Sequence, residues 1–588
     1  MKIKQIGKYD GDILRTVMEN RSVEDVNLLL NPTSESDSDP SNLKNIDKGV
    51  EMFLGHVISN SHIGLVVDAD ADGITSSSII YQYIKEVNPN IKITYFIHKT
   101  KAHGLTDDIM NRICETDIDF VIIPDAGSND LEQIARLSSM DIEVLIIDHH
   151  EVSHETEYGI LINNQLSDNE EFNKNLVGAG MVYKFIQHAD IFLKKDISHK
   201  FYDLVAVGQI GDASDVSENE VRNLIFKGIN NLTNPFIKLV MEEHFDSLED
   251  LAPIDFSFSI IPLINSVVRV GTLDEREFLF NAINNIYPDQ KFNVVKRKKN
   301  KSTGKFDKFD VVQTYNEYAF DICKRVKSRQ ATMLKKAITQ IKEDIKETNG
   351  FVVGILETSD WSPITGLIAN KLSSEYQKPA LVLHEIADEN GELKMVGSGR
   401  GNEKIMKSFK DWCNDSGLFD YASGHANAFG VCFSSLDLEK VIEKGNKFVY
   451  EEFYFEVDAL LDGKVDKDLI LTIDNNKRLF GGKVSEPLIG FKNIKVNKDF
   501  IRKRGSILTF FEDGVEFISF GTPEGEFEKL TGNFDSFITM DFVGRASKSS
   551  WGSRETPQLI LSGFNRVPDI VETKEKVEEN VTVDTIVF

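Results

Sequence analysis

The sequence predicts an α/β protein: a parallel-sheet domain, a smaller α/β domain joined to it by a long helix, and a β-rich region after them. Three observations carry this prediction. Short, wholly apolar runs read as buried strands, among them Gly64-Leu65-Val66-Val67, Phe120-Val121-Ile122-Ile123 and Val144-Leu145-Ile146-Ile147. Stretches with helical apolar spacing separate them, as from Ile74 to Val87. Each strand-like run also ends in Asp or His, and in parallel sheets ligands bind beyond the carboxyl ends of the strands.

In chain order, the first run ends in Asp68-Ala69-Asp70-Ala71-Asp72-Gly73. The second ends in Pro124-Asp125-Ala126-Gly127, and the third delivers Asp148, His149 and His150. A fourth segment, Asp203 to Val207, leads through Gly208 and Gly211 to Asp212 and reads equally as a strand or a helix end. Imidazole and carboxylate together suit Mn²⁺, Fe²⁺ or Zn²⁺. A calcium-binding EF-hand would also use Asp-x-Asp-x-Asp-Gly, but it requires Glu at the twelfth position and a helix on entry. Counting from Asp68, that position is Ile79, and the entry is a strand. Asp70, Asp72, Asp125, His149 and Asp212 are the expected metal ligands. Asp68 is either a further ligand or a support for the turn, and Asp148 orients its neighbours.

The flanking composition bounds the rest. A chain of 588 residues exceeds one hydrophobic core, so three or four domains are expected. No uninterrupted apolar run approaches a membrane span, and the Met-Lys-Ile-Lys start lacks a signal-peptide core. Cys114, Cys323, Cys413 and Cys432 are scattered without Cys-x-x-Cys spacing, which fits a reducing, cytoplasmic setting. The formal net charge of −27 argues against a protein coated in nucleic acid, yet a nuclease needs only a local basic track.

The expected organisation is a helical lead-in over 1–60, the parallel-sheet domain over 61–230, and a helical connector with a basic loop over 231–348. A second α/β domain over 349–450 follows, then a small OB-like β-barrel over 451–567, with strands expected at Phe491 to Val496, Ile507 to Phe511, Val515 to Phe520, Phe537 to Arg545 and Gln558 to Phe564, and an acidic tail over 568–588. The basic loop, Lys291 to Lys308, is read as solvated, with a nucleic-acid contact as the alternative. The connector reads as one long helix, or two in line, from Phe309 to about Glu347. In the β-rich region, Phe510, Phe511, Lys548, Trp551 and Arg554 would stack bases and line a basic groove.

The ordered set Asp68-Ala-Asp70-Ala-Asp72-Gly73, Asp125, Asp148-His149-His150 and Asp212 resembles the four motifs of the DHH phosphoesterase superfamily. Gly397-Ser398-Gly399-Arg400-Gly401 and Ser423-Gly424-His425-Ala426 resemble the substrate-binding motifs of the DHH-associated domain. Leu263 to Arg269, Trp361 to Gly366 and Arg329-Gln330 resemble segments of the RecJ exonucleases within that superfamily. This resemblance implies two divalent ions, Mn²⁺ or Mg²⁺, with Asp125 bridging them. Asp72, His149 and Asp212 would complete one site, and Asp70 would contribute to the other. It further implies that His150 contacts the scissile phosphate. Ser398, Arg400, Gly424, His425 and Arg269 would hold phosphate or DNA, since a guanidinium matches phosphate bidentately. The implied activity is 5′→3′ hydrolysis of single-stranded DNA by a monomer working in repair, recombination or replication, with a single-strand-binding protein or helicase as a further partner. The competing readings are a DHH oligoribonuclease or cyclic-dinucleotide phosphodiesterase, and a noncatalytic replication scaffold. The β-rich region counts against the first, and the intact ligand set against the second.

Overall fold

A computed structural model describes the chain apart from residues 167–171, 300–303, 305, 343, 404, 450–453, 506, 521, 523–524, 533–535, 550–555 and 568–588. The expected acidic tail lies outside the described residues, as do Trp551 and Arg554. The rest divides into two compact units. One comprises Arg21–Phe453 and Asn476–Glu486, and the other Met1–Asn20, Tyr454–Asn475 and the described part of Pro487–Phe588.

The larger unit opens with a five-stranded sheet in which every pair is parallel. Its strands are Ile63–Val67, Ile93–Ile97, Phe120–Pro124, Glu143–Asp148 and Ile160–Asn163. In space the second strand lies outside the first, and the third, fourth and fifth follow on the other side. Strand order therefore reverses between Ile63–Val67 and Phe120–Pro124, and a ligand crevice opens at such a switch point. The alternating side chains fill two separate cores. Leu65, Val67, Ile122 and Ile147 pack with helices Ala71–Val87 and Gly178–Leu193, while Val66, Val121, Ile123 and Ile146 pack with helices Asp107–Cys114 and Leu131–Ser138. Burial on both faces explains why these runs show no polar alternation.

One open reading is resolved and three expectations need correction. The segment before Asp212 is a helix, Tyr202–Gly211, buried along nearly its whole length, so its apolar run lacks the one-sided signal of a surface helix. The lead-in over 1–60 is not uniformly helical. Strand Ile3–Gln5 pairs in parallel with Phe455–Val457, and Met1–Asn20 belongs to the smaller unit. The basic segment is a hairpin, Lys291–Lys299 against Phe306–Thr314, because β-branched and aromatic residues recur between its cations. The connector helix consequently starts later, at Tyr315–Ile341. There Thr314 accepts from the Glu317 N–H while Glu317 accepts from the Thr314 N–H. Pro253–Val270 is apolar and long enough to cross a membrane, but Ser259 interrupts its helices and Phe256, Leu263, Ile264 and Val267 lie in the core.

The second α/β sheet runs in the order Tyr421–His425, Ala428–Ser434, Leu393–Arg400, Ala380–Ala387, Val352–Leu356 and Lys346–Glu347. Only Val352–Leu356 and Ala380–Ala387 are parallel, and helix Thr365–Tyr376 joins them. A Cβ at Gly397 would stand 1.9 Å from the Val382 carbonyl oxygen, so this strand admits no side chain there.

The smaller unit carries a seven-stranded sheet in the order Ala459–Asp462, Leu488–Asn497, Phe537–Ser549, Thr556–Arg566, Val515–Phe520, Ile507–Glu512 and Arg502–Arg504. The five strands expected from the sequence are all in it. Phe510 is core here, stacked on Phe517 with ring centroids 4.7 Å apart, and so is not available for base stacking. Phe511, its neighbour on the opposite face, is exposed.

Candidate metal centre

Asp70 ends the extended segment before helix Ala71–Val87 and caps it, its Oδ1 accepting from the Gly73 N–H at 2.9 Å. In the first turn, Asp72 is held by the start of a second helix, its two oxygens accepting from the Gly178 and Ala179 N–H groups at 2.7 and 2.9 Å. Helix N-termini favour such negative charge. Asp68, fully buried, accepts from the Gly104 N–H at 3.0 Å and pairs with His103 Nδ1 at 2.6 Å.

Asp125 follows its strand with φ near +65°, a left-handed conformation that turns the carboxylate into the centre. Its Oδ1 is buried and without a hydrogen-bond partner among the described residues, and His149 Nε2 stands 3.2 Å away. His149 Nε2 also lies 3.7 Å from Asp212 Oδ2 and 3.9 Å from Asp72 Oδ2. Asp212 caps the C-terminus of helix Tyr202–Gly211. Asp148 stands beside this group with its oxygens already hydrogen-bonded. Its Oδ1 accepts from the backbone N–H groups of His149 and His150 and pairs with His150 Nδ1 at 2.7 Å, while Oδ2 accepts from the Ser128 N–H.

The electrostatics follow from this crowding. Burial, then the neighbouring Asp72, Asp70 and Asp68, push Asp125 well above the usual carboxylate range. Burial and Asp212 push Asp72 up to about 8, and burial and Asp70 push Asp212 up to about 6. Asp70 is raised by burial and by Asp68. His149 is lowered to about 4 by burial and by the charge on His150, so its ring is neutral, as a ligand must be. Burial works to raise Asp148, yet the bonds from His150 and Ser128 outweigh it and hold it below the ordinary range. His150, hydrogen-bonded to Asp148, rises to about 9 and is cationic at neutral pH.

Like charges buried together are costly unless a cation joins them. Among the described residues, three donor groups have ligand atoms within 4.8 Å of one another: Asp72, His149 and Asp212; Asp68, Asp70 and His103; and Asp125 with Asp148, His149 and His150. The orphaned Asp125 oxygen and the neutral His149 ring make this a divalent-metal centre.

The phosphate-side candidates come from other elements of the same unit. Arg269 is in the last turn of helix Ile260–Val270, and Arg400 ends strand Leu393–Arg400. Burial lowers both, and Arg269 further lowers Arg400, so the two guanidiniums share one cationic patch with Asp70 facing Arg269. Ser398 pairs its hydroxyl with Thr365 Oγ1 at 2.8 Å. Gly424, with φ of +127°, precedes His425, which lies close enough to Asp212 to lower that carboxyl. The sequence leaves His103 an ordinary polar residue and gives Lys101 no role, and the structure corrects both. His103 joins Asp68 and Asp70, and Lys101 joins Arg269 and Arg400, with burial lowering its ammonium. Both follow strand Ile93–Ile97, whose Ile-Thr-Tyr-Phe-Ile composition was the available signal.

The model of the DHH family N-terminal domain matches residues 62–209. YorK of the SPbeta prophage in Bacillus subtilis, named as a single-strand DNA-specific exonuclease, is 33% identical over 98% of this chain and 99% of its own. This chain belongs to the DHH family. Within that family it is RecJ-like: RecJ of Bacillus subtilis is 22% identical over 92% of this chain and 66% of its own length. The crystal structure of Thermus thermophilus RecJ in complex with Mn²⁺ matches the fold with a TM-score of 0.67 at 16% identity, covering 95% of this chain and 76% of that one. As in other α/β sheets, the DHH centre occupies the strand-order switch point.

Proposed function

We propose that this chain is an exonuclease that hydrolyses single-stranded DNA from the 5′ end, using two divalent ions, Mn²⁺ or Mg²⁺. The observation that carries the reading is the buried Asp125 Oδ1, without a hydrogen-bond partner among the described residues, 3.2 Å from His149 Nε2 and close enough to Asp72, Asp70 and Asp68 for their charges to raise it. When bound, two such ions would activate water and neutralise charge on phosphoryl oxygens. The chain's own residues supply the rest. Asp72, His149 and Asp212 would hold one ion, Asp70 with Asp68 and His103 the other, and Asp125 would serve both. Asp148 keeps His150 protonated and aimed, so that a cation meets the phosphate where negative charge develops. Arg269, Arg400 and Lys101 form the cationic group that anchors a strand end, with Ser398, Gly424 and His425 beside it. The DNA substrate rests on the relatives named as single-strand DNA-specific exonucleases, whose likeness includes the region of the C-terminal sheet as well as the catalytic domains, and the polarity on the resemblance of the motifs to those of RecJ exonucleases.

The test uses single-stranded DNA and RNA labelled at either end, with Mn²⁺ or Mg²⁺. Mononucleotides should leave from the 5′ end of DNA, and release from the 3′ end alone would overturn the polarity. Asp125→Ala should lower turnover by at least about 10³-fold, the scale of losing one preorganised electrostatic group, with the circular-dichroism spectrum unchanged. Full activity of that variant at saturating Mn²⁺ would remove the bridging role.

A further inference from the structure

The hairpin Lys291–Lys299 and Phe306–Thr314 departs from the acidic character of the chain. The span 291–314 holds eight lysines and arginines against two aspartates, in a chain whose net charge is −27. Its two strands pair only with each other. The base is firmly set: Phe292 stacks on Tyr318 with centroids 4.1 Å apart, and Lys296 pairs with Asp321 at 3.0 Å. Beyond the base, one face of the ribbon carries an arrangement that folding alone does not favour. Arg297 stands directly opposite Lys308, and both are exposed. Like charges directly opposed across a strand pair repel. On the same face Val295, Val312 and Phe306 are 59%, 62% and 64% exposed, and Asp310, opposite Val295, is the one carboxylate among them. A purely structural hairpin gains nothing from an apolar face left in water around a pair of repelling cations.

The ribbon is also tied to the catalytic loop. Helix Leu273–Ile283, which precedes it, sends Arg276 to the backbone carbonyls of His98 and Thr100, in the segment that carries Lys101 and His103. Charge, exposed apolar surface and this attachment favour one occupant.

We propose that the exposed face of this hairpin binds the single-stranded substrate outside the catalytic centre, with Arg297 and Lys308 on phosphates and Phe306 beneath a base. This rests on the reading of the chain as a single-strand exonuclease and adds to it a binding arm. A phosphate between Arg297 and Lys308 would cancel their repulsion, and aromatic stacking tolerates any base.

The test is the full chain with Arg297→Gln and Lys308→Gln together, and a second variant, Phe306→Ser. Binding of a fluorescent thirty-nucleotide dT strand is measured in EDTA over a range of salt, and turnover of a four-nucleotide strand in Mn²⁺. Losing two phosphate contacts should flatten the slope of log K against log salt by about 1.4. Affinity for the long strand should fall several-fold in both variants, and short-strand turnover should stay at the unmodified rate. Because the double substitution relieves a repulsion, its melting temperature should not fall. An unchanged slope and affinity would overturn the arm, as would an equal loss on the long and short strands. If the unmodified chain cleaves no single-stranded DNA, the functional reading itself fails. Normal cleavage with an unaltered slope in the variant sinks the arm alone.

Discussion

At the scale of single residues, the centre is a set of buried acids held apart from their usual protonation. Asp72, raised to about 8, binds a proton in the folded chain at pH values where an unfolded aspartate, near 3.9, has lost it. His150, raised to about 9, behaves alike against an unfolded value near 6.5. Between pH 6.5 and 8 the folded state therefore holds more protons than the unfolded one, and stability must fall as pH rises. His149 contributes the opposite slope only below 6.5, where the unfolded ring begins to protonate. The chelated protein should accordingly lose melting temperature from pH 6.5 to 8, and added Mn²⁺ should restore more of it at pH 8 than at 6.5. A chelated melting temperature that rises across this window would contradict the buried-acid description. Proton NMR of the metal-free chain should place the His150 titration near 9, and Asp148→Asn should return it toward the ordinary range. A wild-type titration near 6.5 would remove the Asp148–His150 coupling.

At the scale of elements, two helix starts hold the acids in place. Gly178 opens helix Gly178–Leu193, binds Asp72 through its N–H, and passes so close to Asp125 that an added Cβ would lie 2.3 Å from Oδ1. Gly178→Ala should thus displace the Asp125 carboxylate while the helix, which favours alanine by about 1 kcal/mol over glycine, remains formed. We expect at least about tenfold weaker Mn²⁺ binding by calorimetry, on the scale of misplacing a ligand's support, with little change in helical content. Unchanged metal affinity would show that the centre adjusts. The same elements explain what the sequence made legible. Strands Ile63–Val67, Phe120–Pro124 and Glu143–Asp148 are buried on both faces, so their apolar runs were plain and led directly to Asp68, Asp125 and Asp148. Ile93–Ile97 is half-buried at the sheet edge, with Thr94 and Tyr95 interrupting its apolar run, so nothing in the sequence ties His103 or Lys101 to a strand end. Helix Tyr202–Gly211 is apolar nearly all round, which gives no periodicity to tell it from a strand. Gly178 carried no signal at all, because its role is a close approach between segments distant in sequence.

At the scale of the whole molecule, chain order and structural units do not coincide. The larger unit takes back residues 476–486 after the chain has entered the smaller one, and the smaller unit takes the first twenty residues. The returned segment is bonded into the catalytic domain. Arg222, almost wholly buried, donates to the carbonyls of Leu29, Val216 and Arg478, and Lys477 pairs with Asp255 at 3.0 Å. Leu479 is 3% exposed beside them. No local composition marks residues 476–486 as belonging to a domain that ends some twenty residues earlier, which is why a boundary near 450 looked natural. Cutting the chain at Phe453 would strip Arg222 of an acceptor, at a cost of about 1–3 kcal/mol for a buried donor left unpaired, and would remove the Leu479 burial besides. A loss of strand affinity in such a truncation would then reflect a damaged catalytic unit as much as a missing β-sheet unit. The point variant Leu479→Ala in the full chain separates the two. It should cost about 2–5 kcal/mol, read by hydrogen exchange as lost protection in helices Val26–Leu30 and Asn219–Ile229, with strands Ile507–Glu512 and Val515–Phe520 keeping theirs. Equal loss of protection in those strands would mean that residues 476–486 stabilise the smaller unit instead.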